Sequence, residues 1–306
     1  MKKSILLSGF AVLVLCLAGQ SLAAEESREL SLQLSTLPEA KLLFTQRYIF
    51  PFLEGNTPLT EENNIGLSLT AEIAPVSING VVEVIWTPIA FFQLSAGGRI
   101  GSGWKINFFG DDIYGIGINR AGDGDRAEHS GSAFDGLLWK AQIGATLQFD
   151  LAAVFPGDWN HVVARTYHEI NYAGYTAAAR GESWYFENDL GENINGFNYY
   201  GNLFIGYQMP LILDTIGLLT EAELKLYDTP CRSQWGDDKI WWIFSLLGNF
   251  AFTNTFSTAI LIQFNTERNF TEINWDELYY QKRNLDHSNP IRLAFYRAAL
   301  VVTYKF

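Results

Sequence analysis

Apolar and polar residues alternate with a period of two along most of the chain. The longest run covers residues 139–151, where Trp139, Ala141, Ile143, Ala145, Leu147, Phe149 and Leu151 alternate with Lys140, Gln142, Gly144, Thr146, Gln148 and Asp150. A period of two places the two sets on opposite faces of a β-strand. The run is longer than the mean strand of about 5–6 residues and fits the roughly 9–11 residues that cross a bilayer at a tilt. It predicts a long strand with one apolar and one polar face.

The same alternation predicts strands on both sides of this run. They cover residues 65–73, 78–86 and 92–100, then 161–172, 198–209, 216–227, 239–252 and 255–265, and a final strand that ends at Phe306. Residues 29–50 are less regular and predict either one bent strand or two. The count is about 12 if this region forms two strands. Ten strands remain compatible if it forms none, and 14 if residues 101–136 contain a hairpin.

Short and long connections alternate along the second half of the chain. The short ones are residues 153–160, 210–215 and 253–254, and the long ones are 101–136, 173–197, 228–238 and 266–289. In an antiparallel meander, alternate connections lie at the same end of the sheet. The sequence therefore predicts that all the long loops lie at the end opposite the C-terminus, as in barrels with short turns on one side and long loops on the other.

The final strand carries a signal of its own. Phe306, Tyr304, Val302, Leu300, Ala298 and Tyr296 are predicted on one face, and Lys305, Thr303 and Arg297 lie between them. A terminal aromatic residue with a tyrosine two positions earlier resembles the C-terminal strand of bacterial outer-membrane β-barrel proteins. This resemblance is to the class and to no specific family. It implies that Tyr304 and Phe306 form the signal that the barrel assembly machinery reads. An ordinary edge strand at the end of the protein is the alternative.

The N-terminus has the features of an exported protein. Lys2 and Lys3 precede an apolar stretch, and Ser21-Leu22-Ala23 is a small-x-small cleavage site. Residues 1–23 are thus predicted to be a signal peptide and residues 24–306 a single domain. Cys16 raises the alternative of a lipoprotein, although Leu15 before it is bulkier than the residue normally found there.

A barrel explains the composition of the chain, although a soluble β-sandwich would also alternate. Together with the strand pattern, the resemblance implies an all-β, transmembrane antiparallel up-and-down β-barrel in the outer membrane of a diderm bacterium, in contact with outer-membrane lipid. Aromatic residues make up 15% of the chain, and no apolar run after the signal peptide reaches the length of a membrane helix. Aromatics cluster near predicted strand ends, as in interfacial girdles; they are Trp86, Phe91, Phe92, Phe155, Trp159, Phe250, Phe252 and Phe256.

Charge and cysteine content exclude several classes. The net charge is −12 and becomes −14 when Lys2 and Lys3 are removed with the signal peptide. An acidic chain without a basic cluster argues against nucleic-acid binding. The mature chain keeps only Cys231, so no intramolecular disulfide is possible. No cofactor is expected.

If the apolar face contacts lipid, the polar face lines a lumen. The candidate luminal binding residues are Glu72, Glu83, Arg99, Lys140, Arg165, Glu169, Glu221, Glu223 and Arg297, and Asp150 and Lys225 share this face. Both signs of charge are present. The sequence therefore predicts a channel for passive diffusion of small solutes, unless these charges pair and block it. A surface-exposed structural or adhesive barrel is the alternative, since residues 182–197 and 270–280 carry aromatics among polar residues.

Enzymatic and metal sites have weaker support. His287-Ser288 precedes the last strand, and some outer-membrane lipid hydrolases use a Ser–His pair. Adjacent residues of a strand point to opposite faces, so His287 is poorly placed to activate Ser288. His161 and His168 are seven residues apart and are expected on opposite faces. Asp123, Asp125 and Glu128 lack the full set of Ca²⁺ ligands. The chain is expected to be neither an enzyme nor a metal protein.

Overall fold

A computed structural model describes residues 25–37, 39–108, 110–120, 128–130, 133–187, 193–227, 236–273 and 283–306. The predicted signal peptide, Cys231, and Asp123 with Asp125 lie outside these ranges. The described residues are all-β except for one turn of 3-10 helix at Leu151–Ala153. None of them forms a helix that is long and apolar enough to cross a membrane.

The strands of the described ranges are numbered in chain order. They are β1 (Glu25–Ser35), β2 (Glu39–Pro51), β3 (Asn64–Ala74), β4 (Ser77–Ile89), β5 (Phe92–Gly103), β6 (Lys105–Phe108), β7 (Asp111–Tyr114), β8 (Ile116–Arg120), β9 (Glu128–Ser130), β10 (Leu138–Asp150), β11 (His161–Tyr175), β12 (Trp184–Phe186), β13 (Gly196–Gln208), β14 (Leu213–Lys225), β15 (Trp241–Ala251), β16 (Phe256–Arg268), β17 (Phe270–Ile273), β18 (Arg283–Leu285) and β19 (Ile291–Lys305).

Twelve of these strands close into a barrel in the order β1-β19-β16-β15-β14-β13-β11-β10-β5-β4-β3-β2. Every neighbouring pair is antiparallel. The last strand closes the barrel against the first, with Leu30 opposite Tyr304 and Ser35 opposite Ala299. The predicted fold class is confirmed. The irregular region 29–50 forms two strands, and the hairpin β6–β7 within residues 101–136 stays outside the barrel.

The barrel is apolar outside and polar inside. Ile143, Leu218 and Leu246 are 65%, 59% and 54% exposed on the outer surface, although they lie in the middle of long strands. The inward positions include buried polar residues such as Glu169 and Gln263. This arrangement is the reverse of that in a soluble sandwich, whose aliphatic side chains face inward. The alternation predicted for residues 139–151 is present in β10 as far as Asp150, and Leu151 begins the 3-10 turn.

A β-bulge corrects the prediction for the final strand. Gln263 of β16 lies opposite Arg297, but the next residue, Phe264, lies opposite Phe295, so Tyr296 is an extra residue. The extra residue reverses which side chains face outward in the part of β19 that precedes Tyr296. Phe295 is therefore exposed on the outside, and Tyr296 packs against Trp241 with ring centroids 6.1 Å apart. Tyr296 does not share the outer face with Tyr304 and Phe306 as predicted.

Two belts of aromatic residues surround the outer surface. The predicted cluster at the turns of β4–β5, β10–β11 and β15–β16 includes exposed Trp86, Phe155, Trp159 and Phe252. The second belt, near the long loops, includes Trp139 stacked on Tyr172 with centroids 5.0 Å apart. Trp139 and Phe149 are ten residues apart on β10, or about 33 Å along the strand. At a tilt of about 40° this gives a height of about 25 Å, the height of a lipid-facing band.

The predicted loop asymmetry is present in the described residues. The connections from β5 to β10, β11 to β13, β14 to β15 and β16 to β19 are long, and alternation of strand direction places them at the end opposite both Glu25 and Phe306. Three of them carry the small sheets β12-β8-β9, β17-β18 and β6-β7. At this same end the β1–β2 and β3–β4 turns are very short, so this part of the barrel rim is low.

Candidate lumen and its mouth

Ion pairs bind several of the predicted luminal charges to one another. Arg99 Nη2 donates to Glu72 Oε1 at 2.9 Å. Lys140 Nζ lies 2.6 Å from Glu169 Oε1. Arg297 donates to Glu39 and, through Nε, to Gln263 at 2.6 Å. Glu39 was not among the predicted residues. These contacts link residues of different strands. They stabilise the inner wall and neutralise part of the luminal charge.

Glu169 is the most completely bonded of these groups. Its side chain is 4% exposed, and in addition to Lys140 it accepts hydrogen bonds from the Tyr167 hydroxyl at 2.8 Å and from Asn171 Nδ2 at 2.8 Å. A buried carboxylate is stable only when its charge is balanced and its oxygens are hydrogen-bonded. The neighbouring Tyr200 hydroxyl donates to Glu221 at 2.7 Å, which holds a second carboxylate in the same wall.

A cavity of about 280 Å³ lies beside this network. Its walls come from β4, β5, β10, β11 and β13, and its charged lining residues are Glu83, Arg165 and Glu169. Amide and hydroxyl groups complete the lining, among them Gln142 and Asn202. The cavity is therefore polar and carries both signs of charge.

Glu83 and Arg165 differ from Glu169, the third charged residue that lines the cavity. Within the part of the chain that the structure describes, neither makes a hydrogen bond or an ion pair. Arg165 is exposed to the luminal space. The charges acting on Glu83 are Arg165, Arg47 and Lys140, which attract it, and Glu169, which repels it. Within the described residues, the charge of neither group is therefore balanced by a direct ion pair.

The connection between β11 and β13 crosses the barrel mouth. Glu187 in this connection accepts from Ser77 Oγ at 2.5 Å and lies 2.8 Å from Lys41 Nζ. Lys41 is on β2 and Ser77 begins β4, whereas the connection leaves from β11; between β11 and β2 lie β10, β5, β4 and β3. In a barrel of twelve strands this separation is close to a diameter. The segment that reaches Glu187 therefore covers part of the opening, above the low rim.

A small apolar core holds this segment in place. Ile116, Tyr175 and Trp184 are almost fully buried and pack together with Ile118 and Leu138. β12 pairs with β8, with Trp184 opposite Ile118. Burial of this apolar surface stabilises the fold of the connection over the mouth.

Asn195 joins this core to the end of a barrel strand. Its Oδ1 accepts from the Tyr175 backbone N–H at 2.8 Å and from Trp184 Nε1 at 2.9 Å, and its Nδ2 donates to the Tyr175 carbonyl at 3.1 Å. Three hydrogen bonds from one side chain fix the position of β12 relative to β11. The mouth segment is thus a folded structure, held at its base by Asn195 and at its far end by Glu187.

All nine predicted luminal residues lie on the inward face of the barrel. The structure brings Glu72 to Arg99, Lys140 to Glu169, and Glu221 to Tyr200. Glu223 is exposed to the lumen, whereas Glu72 is buried. That these residues bind solutes remains a prediction. The sequence analysis missed Tyr167 and Asn171, although each is two residues from Glu169 and shares its face. It also missed Lys41 and Glu187, for which the sequence carries no comparable signal.

The residues considered for hydrolysis form a turn. Ser288 Oγ donates to Asp286 Oδ1 at 2.6 Å, and the Ser288 backbone N–H donates to the same oxygen at 2.9 Å. These hydrogen bonds hold the pKa of the Asp286 carboxyl below its ordinary value, with the Ser288 hydroxyl as the main cause. The Ser288 hydroxyl is directed to Asp286 and not to His287, as expected for a turn before Pro290.

The predicted separation of His161 and His168 is observed. His161 Nδ1 lies 2.7 Å from Asp150 Oδ2, whereas His168 lies opposite Ala145 on the outer face. Among the residues that the structure describes, no group of three His, Cys, Asp or Glu residues is arranged to hold a metal ion.

No protein-family model matches the chain, and no curated protein sequence matches it. Among solved structures, it is similar to the KdgM porin in complex with disordered oligogalacturonate (11% identity, TM-score 0.41, 92% of this chain and 99% of that chain). It is also similar to the NanC porin (8%, 0.40, 90% and 98%) and to OmpT, an outer membrane protein of Vibrio cholerae (6%, 0.32, 92% and 96%). These belong to the class that the C-terminal strand resembles. The similarity is weak at these identities and TM-scores, and neither a family nor a function follows from it.

Proposed function

We propose that this protein is an outer-membrane β-barrel that lets small polar solutes diffuse passively through a mixed-charge lumen. The observation that carries the proposal is the reversed barrel, with aliphatic side chains outside and buried or solvated charges inside. Only lipid satisfies such an outer surface without a large hydrophobic penalty. A closed barrel also leaves no unpaired strand edge in the bilayer.

The outer-membrane location follows from the same features. The aromatic belts lie about one bilayer core apart, and the long loops lie at the end opposite the C-terminus, as in barrels with short periplasmic turns and long outer loops. In this orientation Tyr304 and Phe306 are periplasmic, where the assembly machinery would read them. Tyr304 and Phe306 are 46% and 69% exposed, so both are accessible to a partner. Export by the predicted signal peptide supplies the route.

The mixed-charge lumen is proposed to select solutes by polarity and size. Ion pairs such as Lys140–Glu169 neutralise much of the wall charge. We therefore expect little preference between small cations and anions, in contrast to a pore lined by one sign of charge. The mouth segment held by Glu187 is expected to limit the size of the solutes.

Swelling of proteoliposomes tests this proposal. Vesicles that contain the refolded protein are diluted into isosmotic solutions of neutral sugars of increasing size. Swelling with the smallest sugars and a cut-off at larger ones is expected. Equal behaviour of protein-containing and empty vesicles would contradict passive diffusion.

A structural or adhesive barrel without an open pore is the second candidate. The observation that favours it is the contact of Glu187 with Lys41 and Ser77, which lays a folded segment across the opening. If this segment closes the passage, vesicles with wild-type protein will not swell, and vesicles with the Glu187→Gln variant will. The two candidates are thereby separated by one pair of measurements.

A further inference from the structure

The charges that line the luminal cavity leave two unpaired groups of opposite sign. Of the three charged lining residues, Glu169 is neutralised by Lys140 at 2.6 Å. Glu83 and Arg165 make no ion pair or hydrogen bond with any part of the chain that the structure describes. A carboxylate and a guanidinium without direct partners, on the wall of one cavity, present one negative and one positive site to a solute that enters.

The spacing of the two groups indicates the length of a matching solute. Glu83 is on β4 and Arg165 on β11, with β5 and β10 between them. Glu83 is level with Asn171 of β11 through Gly97 and Gln142, so Arg165 lies six residues further along that strand. Three strand spacings of about 4.8 Å and six residues of about 3.3 Å separate the two backbones by about 24 Å along the wall, and both side chains line the same cavity. The gap between their charged ends is shorter than this. An extended chain of two residues spans at most about 7 Å, and a hydrogen bond of about 2.9 Å at each end lets it bridge charged atoms about 13 Å apart, which leaves about 11 Å for the two side chains to cover.

The volume of the cavity and its neutral lining groups further restrict the solutes that would fit. A cavity of about 280 Å³ lies just below the usual range of about 300–1,000 Å³ for small-molecule sites, so it suits a solute of dipeptide size. Gln142 makes no hydrogen bond within the described ranges, and its amide offers both a donor and an acceptor. A peptide group has an N–H donor and a carbonyl acceptor, so its complete hydrogen bonding requires both.

We propose that this cavity is a binding subsite for short zwitterionic peptides, in which Arg165 binds the carboxylate and Glu83 the ammonium group. The inference rests on the proposed channel and names its solute class. Arg165 can bind a carboxylate through two parallel N–H···O bonds, and Glu83 accepts from the ammonium. Gln142, which lines the same cavity, binds the peptide group of the solute. A solute with one charge or none satisfies only part of this set.

Block of the ion current through the reconstituted channel measures this binding. The probe is glycylglycine, compared with N-acetylglycylglycine (negative), glycylglycinamide (positive) and N-acetylglycinamide (neutral). Glycylglycine is expected to reduce the current in a saturable manner, and each capped probe to bind roughly tenfold more weakly for each lost charge contact. Equal block by glycylglycine and the neutral probe would overturn the assignment. Strongest block by the positive or the negative probe would also overturn it, in favour of a simple charge site.

Substitution of Glu83 and of Arg165 tests which charged group of the solute each residue binds. Glu83→Gln is expected to weaken glycylglycine binding roughly tenfold while the weaker binding of N-acetylglycylglycine is kept. Arg165→Gln is likewise expected to weaken glycylglycine binding, while the weaker binding of glycylglycinamide is kept. The matched controls are Glu267→Gln and Arg292→Gln, which lie near the long loops and pair with each other at 2.8 Å. Unchanged glycylglycine block in both luminal variants would contradict the proposal.

The outcomes separate this inference from the channel proposal. Absence of any ion current from folded protein, shown by its heat-modifiable gel mobility, would remove the channel and with it the subsite. A current with no preference for glycylglycine would leave the channel standing and remove only the subsite. Retained gel mobility in Glu83→Gln and Arg165→Gln shows that a lost block reflects binding and not misfolding.

Discussion

Lys41 and Glu187 form an ion pair of 2.8 Å between a barrel strand and a segment that starts on the far side of the barrel. Their side chains are 18% and 10% exposed, so water screens the pair only partly. Ser77 donates a second bond to the same carboxylate at 2.5 Å. The low rim at β3–β4 thus provides an attachment for the segment that carries Glu187.

Loss of this attachment should widen the mouth. Glu187→Gln removes the ion pair but keeps the side-chain volume, and loss of a partly buried charge contact costs about 1–3 kcal/mol. A higher single-channel conductance and a larger size cut-off in proteoliposome swelling are expected. Glu267→Gln is the control, because its carboxylate pairs with the exposed Arg292 and not with Lys41 or Ser77. Identical conductance and cut-off in Glu187→Gln and wild type would refute the role of this pair.

The start of β8 is fitted closely to the β3–β4 turn through Gly115. A Cβ atom at Gly115 would lie 1.8 Å from the Val76 carbonyl oxygen and 3.2 Å from Gly103 Cα. Both are backbone atoms that cannot move independently. Gly115→Ala is therefore expected to displace the mouth segment and to raise protease sensitivity near residues 115–187. Gly80→Ala is the control, because its Cβ would meet nothing closer than 4.0 Å. Equal protease resistance of the two variants would contradict this fit.

The Lys140–Glu169 pair is expected to be the most sensitive to loss of one partner. Lys140→Met leaves the buried Glu169 carboxylate without a cation, which costs roughly 3–5 kcal/mol when the pair is buried; the lower end applies because Lys140 is 30% exposed. Urea unfolding in lipid vesicles measures the free energy. The double variant Lys140→Met/Glu169→Gln should recover part of the loss.

The exposed pair of Arg292 and Glu267 is the comparison for this measurement. Their side chains are 63% and 39% exposed, so Arg292→Gln should cost about 0–1 kcal/mol. Equal losses in Lys140→Met and Arg292→Gln would show that burial of Glu169 has no energetic weight.

His168 is tolerated on the outer face because its neighbours satisfy both ring nitrogens. Thr166 donates to the Asn202 carbonyl at 2.9 Å, so its oxygen accepts from Nε2–H at 3.1 Å, and the Tyr199 hydroxyl at 2.6 Å donates to Nδ1. Gly201 leaves room for this hydroxyl, since a Cβ there would lie 2.6 Å from it.

Removal of the Tyr199 hydroxyl tests whether this face contacts lipid. In a bilayer no water replaces the lost donor, so Tyr199→Phe should cost about 1–3 kcal/mol, whereas His168→Leu should be neutral or stabilising. Tyr207→Phe is the control, because its hydroxyl bonds to the Trp159 carbonyl at an exposed turn, where water can replace it. If Tyr199→Phe costs no more than Tyr207→Phe in vesicles, the outer face is not in lipid.

Alternation along the chain was enough to predict the barrel strands and the inward position of residues such as Glu169. It was not enough to predict which charges would pair. Arg99 is on β5 and Glu72 on β3, so their contact depends on the register of the intervening strand β4 and on side-chain reach. The unpaired state of Glu83 and Arg165 depends on the same registers.

Two further features had no signal in the sequence. The bulge at Tyr296 inserts one residue into the strand, and Ala294, Phe295 and Tyr296 are all apolar or aromatic, so the sequence does not show where the alternation changes phase. The mouth segment lacks a regular period, and its position depends on the tertiary contacts of Glu187 with Lys41 and Ser77. The inward position of Tyr167 could have been predicted from the sequence, since a residue two positions from Glu169 shares its face.

Planar-bilayer recording of the purified, refolded protein tests the central claim most directly. A passage through the lumen predicts discrete conductance steps, with similar permeability to K⁺ and Cl⁻ because the Lys140–Glu169 and Arg99–Glu72 pairs balance the wall charge. Absence of discrete steps from protein that keeps the heat-modifiable gel mobility of a folded barrel would contradict it.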